Sequence, residues 1–438
     1  MRSLSVVLLI TLGIYCAAAV FMPRGLLAAG TSGDLSGVWS TTDSCFPDAP
    51  YTMLLDQQGN SISLTSTVSE NPSCSGMVSG SSIDLTCTHS LSSEETFALT
   101  GTVDDNDTIS LAYAGSSIPC QLTKHDGMDP MVQSMLKFTN MSEAIKPLGE
   151  RTPAQMRRYM RRMNSFTFLI PPTPVAKVRN ISVPGPGGQI PLRIYTPEGD
   201  GPFPVIVFYH GGGWVLGTLP MVDHYCRVLT KESAAIVVSV GYRLAPEHVF
   251  PAALDDAYAA LEWVAHNAAS RNADAARIAV AGESAGGNLA AVVCMLARDR
   301  QGPAIRYQVL MSPVTNISGM KTQSYSDYAK GYLLTRQWME AFRGYYLPDS
   351  ANWTSPLVSP LLADDLTNLP PALVITAEYD VLRDEGEEYA RRLNSAGVLA
   401  KNFRCGGVIH GFTTTMVDYL SQTKDAIRLT ARELAKVF

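Results

Sequence analysis

The sequence predicts an α/β protein, built on a mainly parallel sheet with helices on both faces and preceded by a small all-β region. Three observations predict it. From about residue 177, apolar strand-like runs (IPLRIY, PVIVFY, AIVVSV, RIAVA, YQVLM, ALVITA) alternate with helical segments such as AALDDAYAALEWVAHNA. Continuous apolar strands separated by helices are what a sheet covered on both faces requires. Residues 31–125 read differently: they are rich in Ser, Thr, Gly and Asp, and short alternating runs (SISLTSTV, SSIDLTC, TFALTGTV, TISLAYA) are separated by turns such as QQGN and DDND. Short strands at regular spacing suggest an antiparallel sandwich or small barrel. The third observation is size: 438 residues, 46% of them hydrophobic, suffice for two or three domains with a sizeable core.

At the N-terminus, Arg2 precedes an apolar run from Val6 to Met22, with Ala17, Ala18 and Ala19 near its end. A basic start, an apolar centre and small residues read as an export signal, so residues 1–30 are expected to direct the chain to a periplasmic or secreted location. The run is at the short limit for spanning a bilayer, which makes a retained membrane anchor the alternative. Pro23 and Arg24 end it, and a second cleavage option lies near Ala29 or Gly30. Bulky Tyr15 before Cys16 argues against lipid attachment at that cysteine.

The cysteines point the same way. Of eight, Cys45, Cys74, Cys87 and Cys120 cluster within the β-rich region. Four cysteines allow three pairings. Cys74–Cys87 across a hairpin and Cys45–Cys120 tying the ends are the expected bridges, and such bridges persist in oxidising compartments. Cys226, Cys294 and Cys405 are scattered and read as small buried hydrophobes.

Charge narrows the partners. Residues 31–125 hold eleven acids and one lysine, which exceeds the net −6 of the whole chain. That balance argues against nucleic-acid binding. The region reads either as a solubilising appendage or as a module that binds a polymer or surface, and no residue in it picks out a ligand. Next, Thr152-Pro153-Ala154-Gln155 reads as a capping box with proline at the first helical position. Met156, Tyr159, Met160, Met163 and Phe166 then recur at helical spacing, with Arg157, Arg158, Arg161 and Arg162 mostly off that stripe. A basic amphipathic helix can lie on a membrane. More commonly the stripe packs on its own protein and the arginines form a solvated face.

RIAVAGESAGGNLA carries the chemistry. Arg277 to Ala281 forms a buried strand, an apolar helix continues from Leu289, and Gly282-Glu283-Ser284-Ala285-Gly286 lies between them. This is G-x-S-x-G in its strand–turn–helix setting, where the turn is too tight for side chains two residues either side of the serine. Ser284 is the candidate nucleophile and needs a base to take its proton. In this architecture the order runs nucleophile, acid, base. His410 is the only histidine after Ser284. Asp380, just past the strand ALVITAEY, is the expected acid. Glu378, further back in the strand, and Asp384, near the start of the next helix, are its rivals.

The glycine run in VIVFYHGGGW has a matching purpose. An acyl oxygen that becomes an anion needs backbone N–H groups close by, and side chains would block the approach. Gly212 and Gly213, with Gly211 as a further contributor and the amide of Ala285, are the expected donors. A phosphate loop is excluded because no G-K-[ST] follows.

These residues resemble the hormone-sensitive lipase family of α/β-hydrolases, the bacterial esterase branch in particular. The resemblance runs from about Asp126 to the C-terminus and includes HGGGW, YRLAPEH, FPAALDDAYAALEW, GESAGGNLA, LPPALVITAEYDVLRDEG and HGF in family order. It implies an α/β-hydrolase domain over residues 126–438, a triad on Ser284, Asp380 and His410, an oxyanion loop on Gly211 to Gly213, and a helical cap from residues 126–170 and about 318–350. Two positions depart from it: many relatives carry Asp where this chain has Glu283, and Asp where it has Gly241. The region 31–125 lies outside the resemblance.

The expected reaction is hydrolysis of carboxylic esters, small-molecule substrates, through an acyl-enzyme and without metal or organic cofactor; the resemblance implies short- to medium-chain acyl groups. The alternatives are a non-catalytic small-molecule receptor on the same fold and an amide hydrolase. Surface or membrane association, if it occurs, is expected through the N-terminal segment or the β-rich region.

Overall fold

The computed structural model describes residues 37–41, 52–58, 61–66, 73–79, 82–88, 96–105, 108–113, 120–124, 127–145, 151–164 and 171–438. The expected export segment, Cys16 and Cys45 lie outside the described residues.

Eight strands come first: β1 (Gly37–Thr41), β2 (Thr52–Gln58), β3 (Ser61–Ser66), β4 (Ser73–Ser79), β5 (Ser82–Thr88), β6 (Thr96–Asp105), β7 (Thr108–Tyr113) and β8 (Cys120–Lys124). Each pairs antiparallel with the next, and β1 bonds back to β8, with Trp39 opposite Lys124. Of the two expected architectures, the strands therefore form the closed barrel. Closure leaves these strands without an open edge on which another chain could add. Period-two alternation is visible in burial: Ile83 and Leu85 are buried while Ser82, Asp84 and Thr86 are exposed. The register of β4 with β5 sets Cys74 opposite Cys87, and Cys120 lies on β8.

The second sheet is open. Its strands are β9 (Lys177–Gly185), β10 (Gly188–Thr196), β11 (Phe203–Tyr209), β12 (Ile236–Val240), β13 (Ala273–Glu283), β14 (Tyr307–Met311), β15 (Ala372–Tyr379) and β16 (Ala400–Ile409). They lie in the order β16-β15-β14-β13-β11-β12-β10-β9. From β16 to β12 neighbours run parallel, and β10 and β9 add antiparallel at one edge.

The helices that matter here are α1 (Pro130–Ile145), α2 (Pro153–Asn164), α3 (Asp223–Ser233), α4 (Ala252–Asn267), α5 (Ala285–Asp299), α6 (Gln323–Asp327), α7 (Arg336–Tyr346), α8 (Arg383–Ser395), α9 (Phe412–Thr415) and α10 (Ser421–Ala435). Alternate residues of β11 feed two cores. Val205, Val207 and Tyr209 pack with residues of α4, α5 and α8. Ile206 and Phe208 pack with residues of α3 and α10. Two covered faces explain why these strands read as unbroken apolar runs. Cys226, Cys294 and Cys405 are free thiols buried in these cores.

The capping box forms at α2: Gln155 N donates to Thr152 Oγ1 at 3.3 Å, and Thr152 N donates to Gln155 Oε1 at 3.1 Å. Met156, Tyr159 and Met160 pack into the core of the open sheet, so this part of the stripe is covered by protein. Arg157 is not part of a solvated face. It donates to the carbonyls of Val215 and Ala245 at 2.8 and 2.7 Å, and pairs with both oxygens of Glu247 at 2.8 Å. Among the described residues, no helix is long and apolar enough to cross a membrane.

Candidate active site

Strand β13 sits centrally, between β11 and β14, and ends at Glu283. Ser284 follows with φ 57° and ψ −119°, a conformation that L residues avoid. Such a residue costs on the order of 1–3 kcal/mol and persists only where its surroundings enforce it. The enforcement is local. Ser284 N donates to the Met311 carbonyl at 2.8 Å, and its own carbonyl accepts from Asn288 N at 3.0 Å as α5 begins. A Cβ on Gly282 would overlap the Gly286 carbonyl, and one on Gly286 would overlap the carbonyls of Tyr209 and His210. This is the steric reason for the G-x-S-x-G spacing.

The structure brings Ser284, His410 and Asp380 together from the ends of β13, β16 and β15. Ser284 Oγ lies 3.0 Å from His410 Nε2, and His410 Nδ1 lies 2.7 Å from Asp380 Oδ2. A carboxylate only accepts, so Nδ1 carries the proton and Nε2 is left to accept from the serine hydroxyl. Asp380 is held in turn by Leu382 N, which donates to Oδ1 at 3.0 Å. All three side chains are buried. Burial works against the imidazolium of His410, but the charge and hydrogen bond of Asp380, with the charge of Glu283, outweigh it and raise its pKa. The rival acids are engaged elsewhere: Glu378 accepts from Gly407 N at 2.8 Å, and Asp384 from Ser324 N at 2.7 Å.

The glycine run leaves the end of β11. Gly212 and Gly213 take φ 117° and 60°, which glycine adopts freely. The Gly212 carbonyl accepts from Val215 N and Leu216 N at 3.1 and 2.8 Å, closing a tight turn. Among the described residues, the amides of Gly212 and Gly213 have no acceptor. Ala285 is the first residue of α5, so its amide has no partner within the helix. Gly211 is placed differently. Its carbonyl accepts from His210 Nδ1 at 2.8 Å, and the space a Cβ would need is filled by Glu283 Oε2. Burial lowers the His210 pKa to about 4, against the Gly211 hydrogen bond, so the ring is neutral at physiological pH.

The segment YRLAPEH braces this loop. Tyr242 donates to the His210 carbonyl at 2.7 Å and stacks on the His210 ring at 4.3 Å. Arg243 holds both oxygens of buried Asp256 at 2.8 Å. Ala245 N donates to the Trp214 carbonyl at 2.8 Å. From α7, Tyr346 stacks on Trp214 at 4.4 Å, and the Phe342 ring occupies the space beside Gly213.

Sequence reasoning missed three residues near this centre. Glu283 approaches His410 Nε2 to 3.6 Å. Phe342 covers Gly213. Glu385, buried and with its pKa raised to about 8 by burial, accepts from Thr315 N and Asn316 N at 2.7 and 3.1 Å and ties α8 to the loop after β14. Only Glu283 carried a signal, as an acid inside the nucleophile motif.

A family profile for the alpha/beta hydrolase fold matches residues 206–414. The chain is 47% identical over 242 residues to the carboxylic ester hydrolase LipN of Mycobacterium tuberculosis, covering 54% of this chain and 64% of LipN. It is 36% identical over 287 residues to an arylesterase of Saccharolobus solfataricus, covering 65% of this chain and 92% of that enzyme. Among solved structures, the hyperthermophilic esterase from the archaeon Pyrobaculum calidifontis matches with a TM-score of 0.67 at 41% identity, covering 71% of this chain and 98% of that one.

Proposed function

The chain belongs to the hormone-sensitive-lipase-like family of α/β-hydrolases, and from that membership we propose that it hydrolyses short- to medium-chain acyl esters through Ser284, His410 and Asp380. It is a serine hydrolase of the carboxylesterase type. The observation that carries the assignment of residues is the run of contacts from Ser284 Oγ to His410 Nε2 at 3.0 Å and from His410 Nδ1 to Asp380 at 2.7 Å.

In this reading His410 Nε2 takes the Ser284 proton while Oγ bonds to the acyl carbon. The carbonyl oxygen becomes an anion facing the amides of Gly212, Gly213 and Ala285, with Gly211 anchoring the loop through His210. The imidazolium then protonates the departing alcohol. Water, deprotonated by the same nitrogen, attacks the acyl-enzyme, and collapse returns the proton to Ser284. Asp380 holds the tautomer and stabilises the imidazolium throughout. The buried Phe342 and Tyr346 rings at Gly213 and Trp214 support a short acyl site. Of the cap expected from residues 126–170 and about 318–350, α2, α6 and α7 would cover it, whereas α1 packs Val132 and Leu136 into the other core.

An acyl-length series of p-nitrophenyl esters with a Ser284→Ala control tests this. Turnover of acetate and butyrate well above palmitate, lost in the variant, is expected. A wild-type protein without turnover would favour the receptor, and aryl-amide cleavage at a comparable rate would favour the amidase.

We also propose that residues 1–30 direct export and that Cys74–Cys87 and Cys45–Cys120 form in the oxidising compartment. The β4–β5 register supports the first bridge. Mass spectrometry of the protein isolated from its host, with and without reduction, reads both the N-terminus and the bridges.

A further inference from the structure

Glu283 belongs to no part of the reaction above, yet it is buried at the centre of the site, 6% exposed. Its Oε1 lies 3.6 Å from His410 Nε2, the nitrogen that faces Ser284, whereas Asp380 holds Nδ1 across the ring. Its Oε2 fills the space beside Gly211. The turn after His410 packs against the carboxylate: a Cβ on Gly411 would lie in ordinary contact with Oε1, 3.8 Å away.

The groups that face Glu283 are few. His410 and Asp380 act on it electrostatically, and the buried phenols of Tyr225 and Tyr242 feel its charge. Among the described residues no lysine or arginine pairs with it. Burial raises its pKa, the charge of His410 pulls it down, and Asp380 raises it further. Its one cationic neighbour is thus His410, and only while that ring is protonated, which in ester hydrolysis is the interval around each tetrahedral intermediate.

We propose that Glu283 is a positioning residue for the reaction: its carboxylate is a second anionic partner of His410, on the Nε2 side, that holds the ring against Ser284 and sustains the imidazolium once Nε2 has taken the serine proton. This rests on the ester-hydrolase reading. A carboxylate that merely filled space would leave the titration of His410 untouched.

The test is kcat/KM for p-nitrophenyl butyrate against pH in the wild type, Glu283→Gln and Glu283→Ala. Activity needs neutral His410, so it rises with pH through the titration of that ring. Removing a nearby negative charge lowers the ring's pKa, by about one unit for a contact of this length. Glu283→Gln should therefore move the acid limb down by about one pH unit, and the weaker base should lower kcat on the plateau by up to about tenfold. Glu283→Ala removes the same charge together with the side chain and should move the limb in the same direction.

A lowered plateau with an unmoved limb in Glu283→Gln overturns the proposal. If that variant does not fold, an unmoved limb in Glu283→Ala overturns it instead. Loss of the ester reading is seen separately, as wild-type turnover that is absent or survives Ser284→Ala. NMR titration of His410 in Ser284→Ala, with and without Glu283→Gln, then decides the Glu283 contact without turnover: a lowered His410 pKa supports it, and an unchanged one overturns it.

Discussion

In the barrel, buried Ile83 and Leu85 alternate with exposed Ser82, Asp84 and Thr86; in the open sheet, all five residues of β12 and all five of β14 are buried. Both sheets have eight strands. The barrel satisfies its edges by closing on itself, and β5 shows one face to solvent. In the open sheet β12 and β14 are hidden on both faces, while the antiparallel edge strand β9 is largely exposed. The difference also decides where chemistry can gather. Consecutive antiparallel strands end at opposite rims, whereas parallel strands all end at one edge, where the segments after them converge. His210 and the glycine run, Ser284, Asp380 and His410 follow β11, β13, β15 and β16 at that shared edge.

The contrast is broken most severely at the nucleophile. Ser284→Ala should lower kcat/KM for p-nitrophenyl butyrate by about 10⁴-fold or more, and Asp380→Asn by about 10⁴-fold, with melting curves and circular dichroism close to wild type. If the Ser284 variant keeps its activity, the shared edge is not where the ester is cleaved. Next comes the glycine turn. Gly212→Ala places a Cβ at φ 117° against the Leu216 backbone and should cost about 10²–10³ in kcat at little change in KM. An unaffected kcat would remove Gly212 from the oxyanion site.

The pH profile is the third expectation. The raised pKa of His410 places the acid limb of kcat/KM above the ordinary histidine range, and below it activity should fall about tenfold per pH unit as the ring protonates. A limb below the ordinary range would contradict the influence of Asp380 and Glu283. The smallest effect on catalysis is expected from the barrel. Ile83→Ala should destabilise it by about 2–5 kcal/mol, read as faster amide exchange in its strands. kcat/KM for soluble esters should stay within about twofold of wild type, since Ile83 belongs to neither core of the open sheet. A large loss of activity would show the two sheets to be coupled.

Much of this was legible beforehand. Alternation against continuous apolar runs separated the two sheets, because a strand's exposure is set residue by residue and leaves a period. The cap of α2 was readable because its hydrogen bonds join residues three apart. Barrel or sandwich was not decidable from the strands alone, since it depends on whether β1 meets β8. The arginines of α2 looked alike in sequence, yet Arg157 reaches two carbonyls and Glu247, 58 to 90 residues away.

By itself the amino-acid order determined that Ser284 stands on a turn too tight for side chains at 282 and 286, since the atoms that would collide there lie within a few residues or on the adjoining strand end. It also singled out His410 and Asp380 by type and order. Only the tertiary structure decided that Glu283 faces the same imidazole nitrogen as Ser284, that Phe342 lies against Gly213, and that Glu385 ties α8 to the loop after β14. These contacts join segments about 70 to 130 residues apart. Their geometry comes from how sheet and helices pack, and nothing in the local pattern of the chain encodes it.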